Sequence, residues 1–164
     1  DHGALQDIWE LDTALGIIGQ LPPESVAVEI GSMHGGSLNA WASLGVPVIG
    51  MTLYPVPEAH DALMIYGNSH DTDVQEQLKS ALAGREVSFG FIDGDHSEAG
   101  CQADFDFLLS LGTAIIGFHD LVCPINPGVK PVWDRAKAGR RHVEIINPTT
   151  PEIVNPGVVE ATGP

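Results

Sequence analysis

Five short apolar runs recur along the chain and constrain it more than any other feature: VAVEIG (26–31), VPVIGMTL (46–53), ALMIYG (62–67), VSFGFID (87–93) and TAIIGFHD (113–120). They are nearly continuous in apolar residues, as strands buried on both faces are. Segments of helical periodicity separate most of them. Residues 4–18 carry Leu5, Ile8, Trp9, Leu11 and Leu15 at helical spacing, and LPPES then breaks the pattern. GGSLNAWASLG reads as a helix stopped by Gly45, and DTDVQEQLKSALAG as a capped helix with Val74, Leu78, Ala81 and Leu82 on one face. SEAGCQADFDFLLSLG turns Cys101, Phe105, Leu108 and Leu109 inward, VKPVWDRAKAG is a further helix, and HVEIIN and GVVEA are closing strands. Strand–helix alternation of this kind predicts an α/β fold with a mostly parallel sheet covered by helices on both faces. In such sheets ligands sit at the carboxyl ends of the strands. Gly31, Thr52, Gly67, Asp93 and Asp120 all fall there.

The 164 residues suit one domain with one core, and their formal charge of −15 narrows the partners. Nucleic acid and anionic membranes are bound by Lys and Arg, of which there are seven, so neither is expected as a partner. No apolar run approaches the roughly 20 residues that span a bilayer. The opening DHGALQDIWELDTAL has no basic, signal-like start. Cys101 and Cys123 form neither a metal-type spacing nor a disulfide framework, so a cytoplasmic setting is expected.

Four strand ends carry candidate chemistry. EIGSMHGGS (29–37) puts glycines at 31, 35 and 36 between a strand and a helix. Such a turn lets a ligand approach the backbone, although it also serves as a plain tight connection. YGNSHD (66–71) offers Ser69, His70 and Asp71 to a heterocycle, or Asp71 or Thr72 as a helix cap. FIDGDH (91–96) and FHD (118–120) each end an apolar run in acid and imidazole. Neighbouring strands lie about 4.8 Å apart, so Asp93 and Asp120 would converge if these two strands pair. Two carboxylates that close repel unless a proton or cation lies between them. A divalent cation answers this, with His119 as a third ligand. Oxygen donors favour Mg²⁺, Mn²⁺ or Ca²⁺, and the imidazole leaves Mn²⁺, Fe²⁺ or Zn²⁺ open. The structural alternative is that Asp95 and His96 begin a helix and His119 is a packed side chain.

The order VEIGSMHGGS, VIGMTLYP, YGNSHDTDVQEQL, FGFIDGDHSEAGCQADFDFLLSLGTAIIGFHD resembles class I S-adenosylmethionine-dependent methyltransferases. It is most similar to the small metal-dependent O-methyltransferases acting on catechol, caffeoyl-coenzyme A and macrolide or aminocoumarin sugars, and to the cephalosporin-hydroxylase-like family. The resemblance implies a three-layer Rossmann-like fold with a seven-stranded sheet, in a single domain (residues 1–164). An N-terminal helical part would fall in 1–22 and the core in 24–160. It implies that Glu29 and Gly31 line the methionine part of S-adenosylmethionine and that Ser37 binds its carboxylate or amine. Ser32, Gly35, Thr52 and Asp93 would also face this cofactor, with Ser69 and His70 beside the adenine. Asp93, His119 and Asp120 would hold the metal, Mg²⁺ or Mn²⁺, and His96 would be the general base toward a small-molecule hydroxyl acceptor.

Two departures stand out. Thr52 occupies the place of the usual ribose-binding acid, and LGT replaces the usual Pro-Gly-Gly before the fifth strand. The acceptor pocket would come from loops 54–62 and 121–131, open or completed by a second copy in a homo-oligomer. The competing expectation is a degenerate methyltransferase-fold subunit for binding or assembly, with weak or no turnover.

Overall fold

The computed structural model describes residues 7–19, 21–56, 61–146 and 157–161. The elements run α1 (Ile8–Ile18), β1 (Val26–Ile30), α2 (Gly36–Ala42), β2 (Val48–Thr52), β3 (Ala62–Tyr66), α3 (Thr72–Leu82), β4 (Val87–Ile92), α4 (Glu98–Ser110), β5 (Ile115–Phe118), α5 (Val129–Ala136), β6 (His142–Glu144) and β7 (Gly157–Glu160). Among the described residues the strands form one seven-stranded sheet in the order β3-β2-β1-β4-β5-β7-β6. The first five pair in parallel, and β7 runs antiparallel to both of its neighbours. The chain leaves β1 toward β2 on one side and reaches β4 on the other, so the topology reverses between β1 and β4. A crevice at the carboxyl ends of such a pair is where α/β sheets take ligands.

Strand parity sorts the core into two layers. Val26, Val28 and Ile30 face Leu78 of α3, Leu108 of α4 and Trp133 of α5. Ala27, Phe89 and Phe91 face Leu11 and Ile18 of α1 and Leu38 and Trp41 of α2. Each large apolar side chain so buried stabilises the fold by roughly 1.5–3 kcal/mol. Helices on both faces make the three-layer α/β architecture that the apolar runs predicted.

The first helix differs from its sequence expectation. It begins at Ile8 because the Asp7 side chain accepts from the Trp9 and Glu10 amides, which fixes the cap one residue earlier. Leu5 lies outside the described residues. Leu11, Ala14 and Ile18 are buried, whereas Ile8 and Trp9 are 72% and 51% exposed. The buried stripe of α1 runs through Glu10, Leu11, Ala14 and Ile18, and Trp9 falls on the opposite side of the helix. Among the described residues no helix is long and apolar enough to cross a membrane. Both cysteines are free thiols.

One buried carboxylate bolts α2 to the sheet. Alternation along β1 turns Glu29 to the α2 side, where it is fully buried. Ser37 Oγ donates to its Oε1 at 2.8 Å and Trp41 Nε1 to its Oε2 at 2.6 Å. Burial pushes the Glu29 carboxyl up to about 7, against the pull of the Ser37 hydrogen bond. An acid raised by folding binds its proton more tightly in the folded chain. Its stabilising contribution is therefore full below the unfolded value of 4.5 and is lost as pH climbs through about 7. Glu29→Gln keeps the shape and cannot ionise. Relative to the parent chain it is expected to gain about 3 kcal/mol between pH 4.5 and pH 8, measured by urea unfolding at both values. A difference that does not change with pH would contradict this account of Glu29.

Candidate active site at the sheet's carboxyl edge

The hydrogen-bond ladder continues one residue past β1, β3, β4 and β5 and sets the site. Gly31 N donates to Met51 O at 2.8 Å, Gly67 N to Thr52 O at 2.9 Å, Asp93 N to Ile30 O at 2.8 Å and His119 N to Ile92 O at 3.0 Å. Ile92 pairs with Phe118, so the next residues, Asp93 and His119, emerge side by side. At Gly31 the backbone turns with φ +90°, and a Cβ there would run into the Asp93 carbonyl. That position accepts glycine alone, for reasons of both conformation and space.

Asp93, His96, His119 and Asp120 form one cluster. A ligand-capable atom of each lies within 4.8 Å of the others. His119 Nδ1 stands 2.9 Å from Asp93 Oδ1 and 3.3 Å from Asp120 Oδ1. His96 Nε2 stands 3.2 Å from Asp93 Oδ1 and 3.3 Å from Asp120 Oδ2. Both imidazoles thus touch both carboxylates. His119 Nε2 is buried without a hydrogen-bond partner. Burial opposes charge on His119, yet the neighbouring Asp93 and Asp120 carboxylates outweigh it and lift the imidazole to about 10. His96 is raised mainly by its hydrogen bond to Asp93. Burial would raise Asp120, but the hydrogen bond and charge of His119 bring it below its ordinary value.

Local structure holds these groups in place. Asp120 adopts a left-handed backbone, φ +58°, which aspartate tolerates better than most residues. Asn126, from the following loop, donates to Asp120 Oδ2. His96 is carried by the turn into α4, where Asp95 Oδ1 accepts from Ser97 N at 2.8 Å and Ser97 Oγ caps Gly100 N at 3.1 Å.

A cavity of about 510 Å³ opens beside the cluster. Of the residues expected at a site, Gly31, Thr52, Ser69, His70, Asp93 and His96 line it. His119 and Asp120 stand behind Asp93, buried. Glu29 and Ser37 are bonded to each other beneath the glycine turn, away from the cavity wall. Ser32 is buried in the same turn, and Gly35 caps α2 in a left-handed conformation, φ +80°. Asp71 precedes α3 as its N-cap, without a side-chain cap bond. Sequence reasoning passed over Met33 and Leu53, which give the cavity an apolar rim together with Tyr54 from the loop expected to shape the acceptor pocket. It also passed over Asn126 and over Asp104, which lies under Ser69 and His70. Asp104 had a readable signal, because it stands on the inward stripe of α4 between Cys101 and Leu108.

No protein-family model matches the chain, and no curated protein matches it. Solved structures do. Cofactor-bound Rv0187 from MTB is 14% identical with a TM-score of 0.64, over 98% of this chain and 93% of its own. A candidate caffeoyl-CoA O-methyltransferase from Staphylococcus aureus is 15% identical with a TM-score of 0.65, over 96% of this chain and 85% of its own. The MycE methyltransferase of the mycinamycin biosynthetic pathway was solved with Mg, SAH and mycinamycin VI. It is 18% identical with a TM-score of 0.55, over 84% of this chain and 44% of its own. At these identities the matches speak for architecture: the chain shares the three-layer α/β fold of these solved structures.

Proposed function

We propose that the chain is an S-adenosylmethionine-dependent O-methyltransferase that uses a divalent cation and methylates a hydroxyl group of a small molecule. The observation that carries this is the four-residue cluster of Asp93, His96, His119 and Asp120, two members of which form the wall of the cavity at the sheet's carboxyl edge. Three of the four, Asp93, His119 and Asp120, would hold the cation. Two carboxylates and an imidazole suit Mg²⁺ or Mn²⁺, and the nitrogen donor makes Mn²⁺ the better match. His119 Nδ1, which faces both carboxylates, and the carboxylate pair itself both fit such a guest. When bound, the cation would lower the pKa of the acceptor hydroxyl and hold it in line with the methyl group.

The chain's own residues supply the rest. The bare Gly31 backbone, Thr52, Ser69 and His70 line room for the adenosyl and methionine parts of the cofactor. As the sulfonium–methyl bond breaks and the carbon–oxygen bond forms, the hydroxyl proton passes to His96. Imidazole takes protons near neutral pH, and the hydrogen bond to Asp93 makes His96 a stronger base than a free imidazole. The solved mycinamycin-pathway enzyme of the same fold holds Mg and SAH, which supports both guests. Met33, Leu53 and Tyr54 on the rim favour an acceptor with an apolar face, such as a catechol-like ring or a decorated sugar. A second copy of the chain would close the acceptor side.

Thr52 supports the second reading, a degenerate binding or assembly subunit. It ends β2 buried, with a hydroxyl where a carboxylate would pair with ribose. Calorimetric titration with S-adenosylhomocysteine, with and without Mn²⁺, separates the two. Heat of binding supports the enzyme, and its absence under both conditions supports the degenerate subunit.

His96→Ala is expected to lower methyl transfer at least about a hundredfold, with S-adenosylhomocysteine affinity within about threefold of the parent. Unchanged turnover would remove His96 from the mechanism. Thr52→Asp restores a charge-assisted bond worth roughly 1.5–3 kcal/mol, so cofactor affinity is expected to rise about tenfold or more. No gain in calorimetry would show that the ribose does not reach the end of β2.

A further inference from the structure

Asp104 is a carboxylate in an expensive position. It lies on α4, wholly buried. Its Oδ1 accepts the Ser69 hydroxyl at 2.7 Å and makes an ion-pair contact of 3.2 Å, without hydrogen-bond alignment, to His70 Nε2, a buried atom with no other partner. Its Oδ2 is buried with no hydrogen-bond partner. That oxygen faces Gly94, where a Cβ would stand 3.3 Å from it. Burial pushes the Asp104 carboxyl up, and Ser69 and His70 pull it back. Burying an acid with one oxygen unpaired is unfavourable. A mere tie between the turn after β3 and α4 would need only a neutral acceptor for Ser69. Gln75 already ties that turn, donating to Ser69 O at 2.8 Å.

The arrangement is not a hydrolytic triad. The Ser69 hydroxyl gives its proton to the carboxylate, so no imidazole activates it as a nucleophile. What the carboxylate does dictate is the state of His70. A carboxylate oxygen beside Nε2 demands a proton there, and a neutral imidazole with Nε2–H keeps Nδ1 as an acceptor. His70 lines the cavity with 29% of its side chain open.

We propose that Asp104 is a positioning residue that locks His70 in its Nε2–H form, so that the cavity offers an acceptor to the amino group of a purine and discriminates against a 6-oxo purine. This rests on the adenosyl-cofactor reading above and adds the basis of its base specificity. An amino group donates to Nδ1. A carbonyl oxygen in its place sets acceptor against acceptor, which costs about the worth of one hydrogen bond, or tenfold in affinity.

Two measurements test it on the full chain. Nitrogen NMR of the imidazoles in the ligand-free protein, with His70 assigned by loss of its signal in His70→Gln, reads the tautomer directly. The parent is expected to show Nε2–H, and Asp104→Asn, which keeps the shape, a mixture. Calorimetry then compares S-adenosylhomocysteine with S-inosylhomocysteine. The parent is expected to prefer the former at least about tenfold, and Asp104→Asn less than about threefold. Gln75→Ala loosens the same turn without touching the carboxylate and is expected to keep both the tautomer and the preference. A tautomer unchanged in Asp104→Asn, or loss of preference equally in Gln75→Ala, would overturn the role of Asp104. If the parent binds neither thioether, the adenosyl reading and the purine specificity fall together, while the NMR result still decides the tautomer lock.

Discussion

The pairing of β4 with β5 brings two carboxylates to one point, and most of the site follows from that. Ile92 and Phe118 are register partners, so Asp93 and Asp120 end neighbouring strands. Two like charges about 4 Å apart repel by roughly 4 kcal/mol at the effective dielectric of a protein surface. A chain that keeps both must counter them. Here two imidazoles do so from opposite directions, His119 from the end of β5 and His96 from the turn into α4. The left-handed backbone at Asp120 and the Asn126 amide hold the second carboxylate against its neighbour's charge. Strained backbone of this kind persists where surrounding structure enforces it, and it concentrates at functional sites.

The sheet was legible because its signal is local. Near-continuous apolar runs announce strands covered on both faces, and glycine or acid at their ends marks the edge where ligands bind. Asp93, His96, His119 and Asp120 were all readable as residues that end or follow such runs, and the structure brings them together. What escaped depends on partners distant in sequence. Glu29 bonds Ser37 and Trp41 instead of facing the cavity, and a period-two pattern says which face a residue takes but not who waits there. Asp104 reaches a turn 35 residues away. Trp9 is exposed because the buried stripe of α1 runs through Glu10, Leu11, Ala14 and Ile18, and an inward glutamate is not announced by hydropathy.

Electrostatics links the site to the rest of the chain. With 22 acids against seven Lys and Arg, the surface attracts cations and repels polyanions. The buried acids divide by role. Glu29, pushed up to about 7, fastens a helix to the sheet, and Asp104 fastens a turn to α4 and governs one imidazole. Among the described residues, only Asp93 and Asp120 stand in a cluster, with His96 and His119, that could hold a metal ion. Thr52 leaves its end of the cavity with less charge than the end at Asp93, so on the proposed reading binding strength would be concentrated at the cluster.

The most direct test is crystallographic. Crystals grown with Mn²⁺ and S-adenosylhomocysteine, measured for anomalous scattering at the manganese edge, locate the ion without reference to any mechanism. The account predicts one strong peak in coordination contact with Asp93, Asp120 and His119, beside a cofactor in the cavity lined by Gly31 and His70. A cofactor-bound crystal with no peak between Asp93 and Asp120 would contradict it.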